Sequence, residues 1–284
     1  MRDRSLKRTL AYLILPYLLW PACSTANKNL TKQASVQSRK FLAAGDFEKA
    51  LSSFREVTKK NPRGKELAAN YVRTVEEIKQ AADRALGQRD YARAGGIYRI
   101  LLDNYADFRA IATKLTFKKA HLESALKNCR AALVDGQARQ AFKAGDYAKA
   151  LEICQASLNE NPGDGDLAAK YRETANDIKA VGDEALSGKD FAQAGRVNVV
   201  LLKNFASFEG LRPPVAFNRE ALKDAVAACR ESLTKTGLEE YRKGNLANAI
   251  AVWEGLLSFD PDNAEIKKAV NTAKTQLDGI KKKQ

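Results

Sequence analysis

Gly45-Asp46-Phe47-Glu48-Lys49-Ala50-Leu51 returns one hundred residues later as Gly145-Asp146-Tyr147-Ala148-Lys149-Ala150-Leu151. Outward from that stretch the match continues. Asp83, Leu86, Asp90, Ala94, Leu101, Asn104 and Phe108 recur as Asp183, Leu186, Asp190, Ala194, Leu201, Asn204 and Phe208, and Cys129-Arg130 as Cys229-Arg230. A shorter third copy, with one residue deleted, carries Gly244-Asn245-Leu246 and Ala249-Ile250. Repetition on this scale implies units that bury their apolar faces on their neighbours and together build an extended surface.

The quoted stretch marks a turn between two helices. A glycine supplies the left-handed conformation that ends one helix, and the Asp or Asn after it caps the next. The same pattern sits at Arg89-Asp90-Tyr91 and Lys189-Asp190-Phe191, where a basic residue replaces the glycine. Five such turns in register predict five helical hairpins. Pro62, Pro162 and Pro261 stand where a second helix must stop.

These hairpins resemble the tetratricopeptide repeat (TPR). The first copy aligns through Ser38, Phe41, Gly45-Asp46-Phe47, Ala50, Phe54, Val57 and Pro62. The third aligns through Ala138, Gly145-Asp146-Tyr147, Ala150, Cys154, Ser157 and Pro162, and the fifth through Gly237, Tyr241, Gly244-Asn245-Leu246, Ala249, Trp253, Leu256 and Pro261. The resemblance implies an all-α, right-handed solenoid of helical hairpins: two super-repeats of about 100 residues plus a third, partial copy. The turns are 44, 56, 44 and 55 residues apart, wider than the family's spacing, so longer helices fill the excess. Those are expected over residues 66–86, 166–186, 117–144 and 217–243, with Gly136 and Gly237 as possible bends. Residues 106–116 and 207–216 read as loops, and 264–280 as a capping helix.

The expected organisation is a leader over 1–22, a tether over 23–33, super-repeats over 34–133 and 134–233, and a terminal hairpin with its cap over 234–284. A basic start precedes the apolar run Leu10–Trp20, about half the length that spans a bilayer, as in a secretory leader. Leu19-Trp20-Pro21-Ala22-Cys23 resembles the lipobox of bacterial lipoproteins, which implies lipidation of Cys23 and, with Ser24 rather than Asp following, an outer-membrane anchor facing the periplasm. Cleavage after Ser24-Thr25-Ala26, giving a simple secreted protein, is the other reading of the same residues. Residues 24–33 are polar and lack periodicity, as a tether would be.

The 48 basic and 34 acidic residues leave a formal charge of +14, which favours anionic neighbours. Three cysteines beyond Cys23 and one histidine assemble no disulfide framework and no zinc site. No phosphate loop, nucleophile elbow or HExxH motif occurs, so no cofactor, metal, small-molecule substrate or catalytic residue is expected. Export argues against a nucleic-acid partner.

In the TPR family the first helix of each hairpin lines a groove that binds other proteins. Mapped onto this chain, the groove candidates are Arg39, Leu42, Lys79, Asp83, Leu86, Arg139, Phe142, Lys143, Lys179, Asp183, Leu186, Tyr241 and Arg242. Lys79/Asp83 and Lys179/Asp183 are spaced for an ordinary helical ion pair as well as for a partner contact. Phe142 and Tyr241 could anchor a ligand or belong to the core. The function expected is a non-catalytic, membrane-anchored scaffold for envelope proteins. The alternative is an envelope protein associated with peptidoglycan or an acidic polysaccharide.

Overall fold

The computed structural model describes the backbone of residues 20–61 and 64–281, with side chains from Lys28 onward. Residues 1–19 of the leader, the side chain of Cys23, Pro62, and Lys282 and Lys283 lie outside the described residues. Every regular element among those described is helical. The chain divides into two compact units, residues 1–130 and 131–284.

The first unit holds α1 (Trp20–Ala43), α2 (Phe47–Lys60), α3 (Lys65–Gly87) and α4 (Tyr91–Asp103), two short 3-10 helices (Tyr105–Ala110 and Ala112–Lys114), and the start of α5 (Lys119–Lys143). The second holds the rest of α5, then α6 (Tyr147–Glu160), α7 (Gly165–Ser187), α8 (Phe191–Phe208), α9 (Arg219–Arg242), α10 (Leu246–Leu257) and α11 (Ala264–Lys281). The long helices expected from the turn spacing and the closing helix are all present, within a few residues of their expected ends.

One local device closes all five hairpins. Gly45 has φ +75°, and its N–H donates to the Leu42 carbonyl at 3.0 Å, while the Asp46 N–H donates to the Phe41 carbonyl at 2.9 Å. This is the paired bond of a Schellman motif, which satisfies carbonyls that a helix end would otherwise leave bare. Gly145 and Gly244 adopt φ +76° and +81° with the same two bonds, and so do Arg89 and Lys189 at φ +60° and +61° despite their Cβ atoms. The aspartate then opens the next helix. Oδ1 of Asp46, Asp90, Asp146 and Asp190 accepts the N–H three residues on at 3.0–3.2 Å. Each such cap is worth about 1 kcal/mol. At the fifth turn Asn245 gives no side-chain cap; its Nδ2 donates back to Glu240 at 2.9 Å.

The aromatics expected inside the hairpins fill them. Phe54 stacks on Tyr71 with ring centroids 5.0 Å apart, and Tyr71 meets Phe108 edge-on at 5.8 Å. In the second unit Cys154 replaces the Phe54 ring, its Sγ 3.6 Å from Thr174 Oγ1, and Tyr171 packs on Phe208 at 5.2 Å. Trp253 is 4 % exposed in the core that α9, α10 and α11 share.

Two expectations change, and a third gains a reason. The tether was expected over 23–33, yet α1 runs through it. Thr31, Ala34 and Ser38 recur at helical spacing and are all buried, so a polar stretch without an obvious apolar stripe still has a face to pack. Gly237, expected as a possible bend, has a packing reason of its own, because a Cβ there would overlap the Trp253 indole. Residues 105–114 form 3-10 turns, whereas α8 continues to Phe208 at the corresponding place. In the first unit Arg55 reaches Asp107 at 2.8 Å and Asn104 at 2.6 Å, and Glu48 takes the Asn104 amide. Positions 148 and 155 are Ala and Gln, so the second copy lacks that network.

Candidate functional site

The apolar candidates share one structural position. Leu42, Leu86, Phe142, Leu186 and Tyr241 each stand three residues before the left-handed residue of a turn, and each carbonyl accepts that residue's N–H. Their side chains are half-buried against the hairpin cores. The Phe142 ring meets Tyr147 at 5.5 Å, and Tyr241 leans on Trp253 at 5.9 Å. The structure therefore explains these residues as the apolar cover of each turn.

The paired charges divide between the units. Asp83 accepts from Lys79 Nζ at 2.7 Å through one oxygen and from the Tyr98 hydroxyl at 2.7 Å through the other. Burial and that bond to Asp83 push the Tyr98 phenol well above its ordinary pKa. Both carboxylate oxygens are thus engaged with the protein's own groups. In the second unit Lys179 pairs with Asp183, but position 198 is Asn, with no phenol to offer; its Nδ2 donates to the Ala194 carbonyl at 2.9 Å. Arg139 is exposed and donates to Asp135 at 3.0 Å, and Lys170 approaches the same oxygen at 3.3 Å. Burial opposes ionisation of Asp135, yet the bonds from Arg139 and Lys170 outweigh it and hold its carboxyl below the ordinary range. Lys143 and Arg242 are exposed and have no ion-pair partner among the described residues.

One cleft brings groove candidates together. It lies between α1 and α3 and is lined by Ser35, Arg39, Leu42, Asn70, Arg73 and Glu77, with Phe54 and Thr74 at its floor. Thr74 Oγ1 is 3.2 Å from the buried Ser38 hydroxyl, so the floor's polar atoms satisfy one another. The cleft is shallow, about 240 Å³ with open solvent included. Arg39, Arg73 and Glu77 are exposed and have no ion-pair or hydrogen-bond partner among the described residues. Lys79 stands nine residues beyond Asn70, half a turn around α3 at about 100° per residue. Lys79, Asp83 and Leu86 thus lie across the helix from the cleft.

Sequence reasoning missed Ser35, Asn70, Arg73 and Glu77. A signal for most of them was present. Around turns that repeat faithfully, Ser35, Asn70 and Arg73 become Asp135, Lys170 and Glu173, so divergence between copies marks the cleft.

Cys129, Cys154 and Cys229 are free thiols, buried, and pushed up in pKa by that burial. Among the described residues no group of His, Cys, Asp and Glu is placed to hold a metal ion, and no helix is long and apolar enough to cross a membrane. No protein-family model matches the chain, and neither does any curated protein.

Proposed function

We propose that the chain is a bacterial TPR lipoprotein: a non-catalytic adaptor, exported, held by lipid on Cys23 at the outer membrane facing the periplasm, that binds other envelope proteins. The right-handed stacking of its hairpins belongs to the same proposal. The observation that carries the binding role is the α1/α3 cleft, where the first helices of two successive hairpins present the exposed, unpaired side chains of Arg39, Arg73 and Glu77 beside Leu42. Free polar groups at the rim of such a cleft have no stabilising contact to lose and are ready to meet a partner. Five hairpins closed by one repeated turn support the repeat-protein reading.

The test is site-directed photocrosslinking in the native envelope, with the crosslinking residue placed at Arg39, at Asn70, or at exposed Arg99 on α4. A protein adduct is expected from the two cleft positions, weakened by Leu42→Glu, and none from position 99. Equal adducts at all three, or adducts to cell-wall glycan alone, would overturn the adaptor reading. Cys23→Ala should abolish both palmitate labelling and membrane recovery.

The basic excess favours the second reading, association with peptidoglycan or an acidic polysaccharide. Such binding should collapse as salt rises, whereas a complex seated on the half-exposed Leu42 and exposed Val36 should persist.

A further inference from the structure

The two 100-residue copies share their turns but not their charge. Residues 34–133 hold 20 basic and 11 acidic side chains, and residues 134–233 hold 13 and 15. Part of that difference falls on the face that carries the cleft, and Lys28 and Lys32, just ahead of the first copy, add to it. On α1, Lys28 and Lys32 lie seven and three residues before Ser35, on the same side as Arg39. On α3, Arg84 lies seven residues beyond Glu77, in line with Arg73. These five cations face only two carboxylates along the same stripes, Glu66 and Glu77. All seven side chains are exposed, and none has a salt-bridge or hydrogen-bond partner among the described residues.

At the equivalent positions of the second copy the balance inverts. Arg139 and Lys170 are the two cations there, and both already contact Asp135. Asp135, Asp166, Glu173, Asp177 and Glu184 supply the acidic side. Two cations against five carboxylates leave the second surface net negative, whereas five cations against two leave the first net positive.

Resting on the adaptor reading above, we infer that the partner of the first unit's cleft is an acidic polypeptide segment with interspersed apolar side chains, and that the second unit does not bind it. Charge complementarity selects the acidic partner, because five cations left without partners raise the potential over one narrow strip. The apolar elements select a polypeptide. Leu42 lines the cleft and is half-exposed, and Val36, at 59 % exposure, stands on α1 between Lys32 and Arg39. A polyuronate chain or a lipid headgroup layer would leave those groups unused. From Asn70 to Arg84 the α3 stripe spans about 21 Å, which takes about six residues of extended chain.

The experiment uses the full chain and a fluorescein-labelled peptide of about a dozen residues repeating Glu-Glu-Leu, with a Lys-Lys-Leu peptide as control, read by fluorescence anisotropy. Saturable binding of the acidic peptide alone is expected. Arg39→Glu with Arg73→Glu should weaken it at least about tenfold, and Arg39→Lys with Arg73→Lys no more than about threefold. Arg139→Glu with Arg242→Glu changes the net charge equally but lies in the second unit, and should leave affinity within about twofold. Circular dichroism checks that each variant keeps its helicity. Equal losses from both reversal pairs would reduce the effect to bulk charge and overturn the inference. Polygalacturonate or phosphatidylglycerol vesicles binding where the peptide does not would also overturn it. If photocrosslinks form at Arg39 and Asn70 but the acidic peptide never binds, the acidic partner falls and the adaptor reading stands. Peptide binding without native crosslinks gives the reverse.

Discussion

Arg89 and Lys189 hold φ angles of +60° and +61°, a conformation that glycine adopts at the other three turns. A Cβ atom in that region costs about 1–2 kcal/mol. Glycine recovers it but loses more freedom on folding, about 0.5–1 kcal/mol. The charge itself also counts, since a cation at a helix C-terminus contributes about 0.3–1 kcal/mol. Comparing Lys189→Gly with Lys189→Ala isolates the backbone, because both remove the charge and only alanine keeps the Cβ. Neither native side chain has a partner among the described residues, so no contact confuses the comparison. The closing bonds, Lys189 N–H to the Leu186 carbonyl at 3.1 Å and Asp190 N–H to the Ala185 carbonyl at 2.8 Å, are available to both variants. The glycine variant should therefore exceed the alanine variant by about 1 kcal/mol, or about 2–4 °C in Tm for a protein of this size. The same difference is expected at Arg89, and the two should add, since they lie in separate units. Urea titration followed by circular dichroism at the helical band reads the result. Equal stability of the glycine and alanine variants at both turns would refute the argument that the left-handed residue sets the closure.

Trp253→Ala should cost about 3–5 kcal/mol, and Gly237→Ala about 1–3 kcal/mol by forcing a Cβ into the indole. If Gly237→Ala melts with the native chain, the close approach of α9 and α10 is wrong. Glu240 titrates at about 2 rather than 4.5, because hydrogen bonds from Lys243, Asn245 and Asn248 hold its ionised form. A depressed carboxylate supports the folded turn above the unfolded pKa, and that support is lost as pH falls through the folded value. The last turn of α9 should thus hold its bonds until the pH approaches 2, and NMR of the Asn245 side-chain amide would show it. A midpoint near 4.5 would remove the network.

The turns were legible because everything that makes them lies within nine residues, from the Phe41 carbonyl to the Lys49 N–H at the first. The glycine φ, the two backward N–H bonds and the aspartate cap are local, so Gly45-Asp46 announces its geometry before any packing exists. Register with those glycines marked Arg89 and Lys189 as turn positions, and the structure added that they take the same left-handed conformation. The fit of Phe54 to Tyr71, or of Trp253 to Gly237, was readable only as a tendency to be buried, since each contact joins different helices. Helix through residues 29–33 was hidden because its buried face is made of Thr31, Ala34 and Ser38, none of them strongly apolar. The candidate site was the least legible part. Leu42, Leu86, Phe142, Leu186 and Tyr241 were found by a spacing that also makes them turn covers, and spacing cannot separate those roles. Lys79 and Arg73 both lie on the first helix of a hairpin, and only the angle at which α1 meets α3 puts Arg73 at the cleft and Lys79 across the helix from it. That angle is set by the side chains of both helices at once. The sequence by itself determined where helices begin and end, because those signals are local; the tertiary structure decided which of their faces a partner can reach, because that depends on residues far apart in the chain.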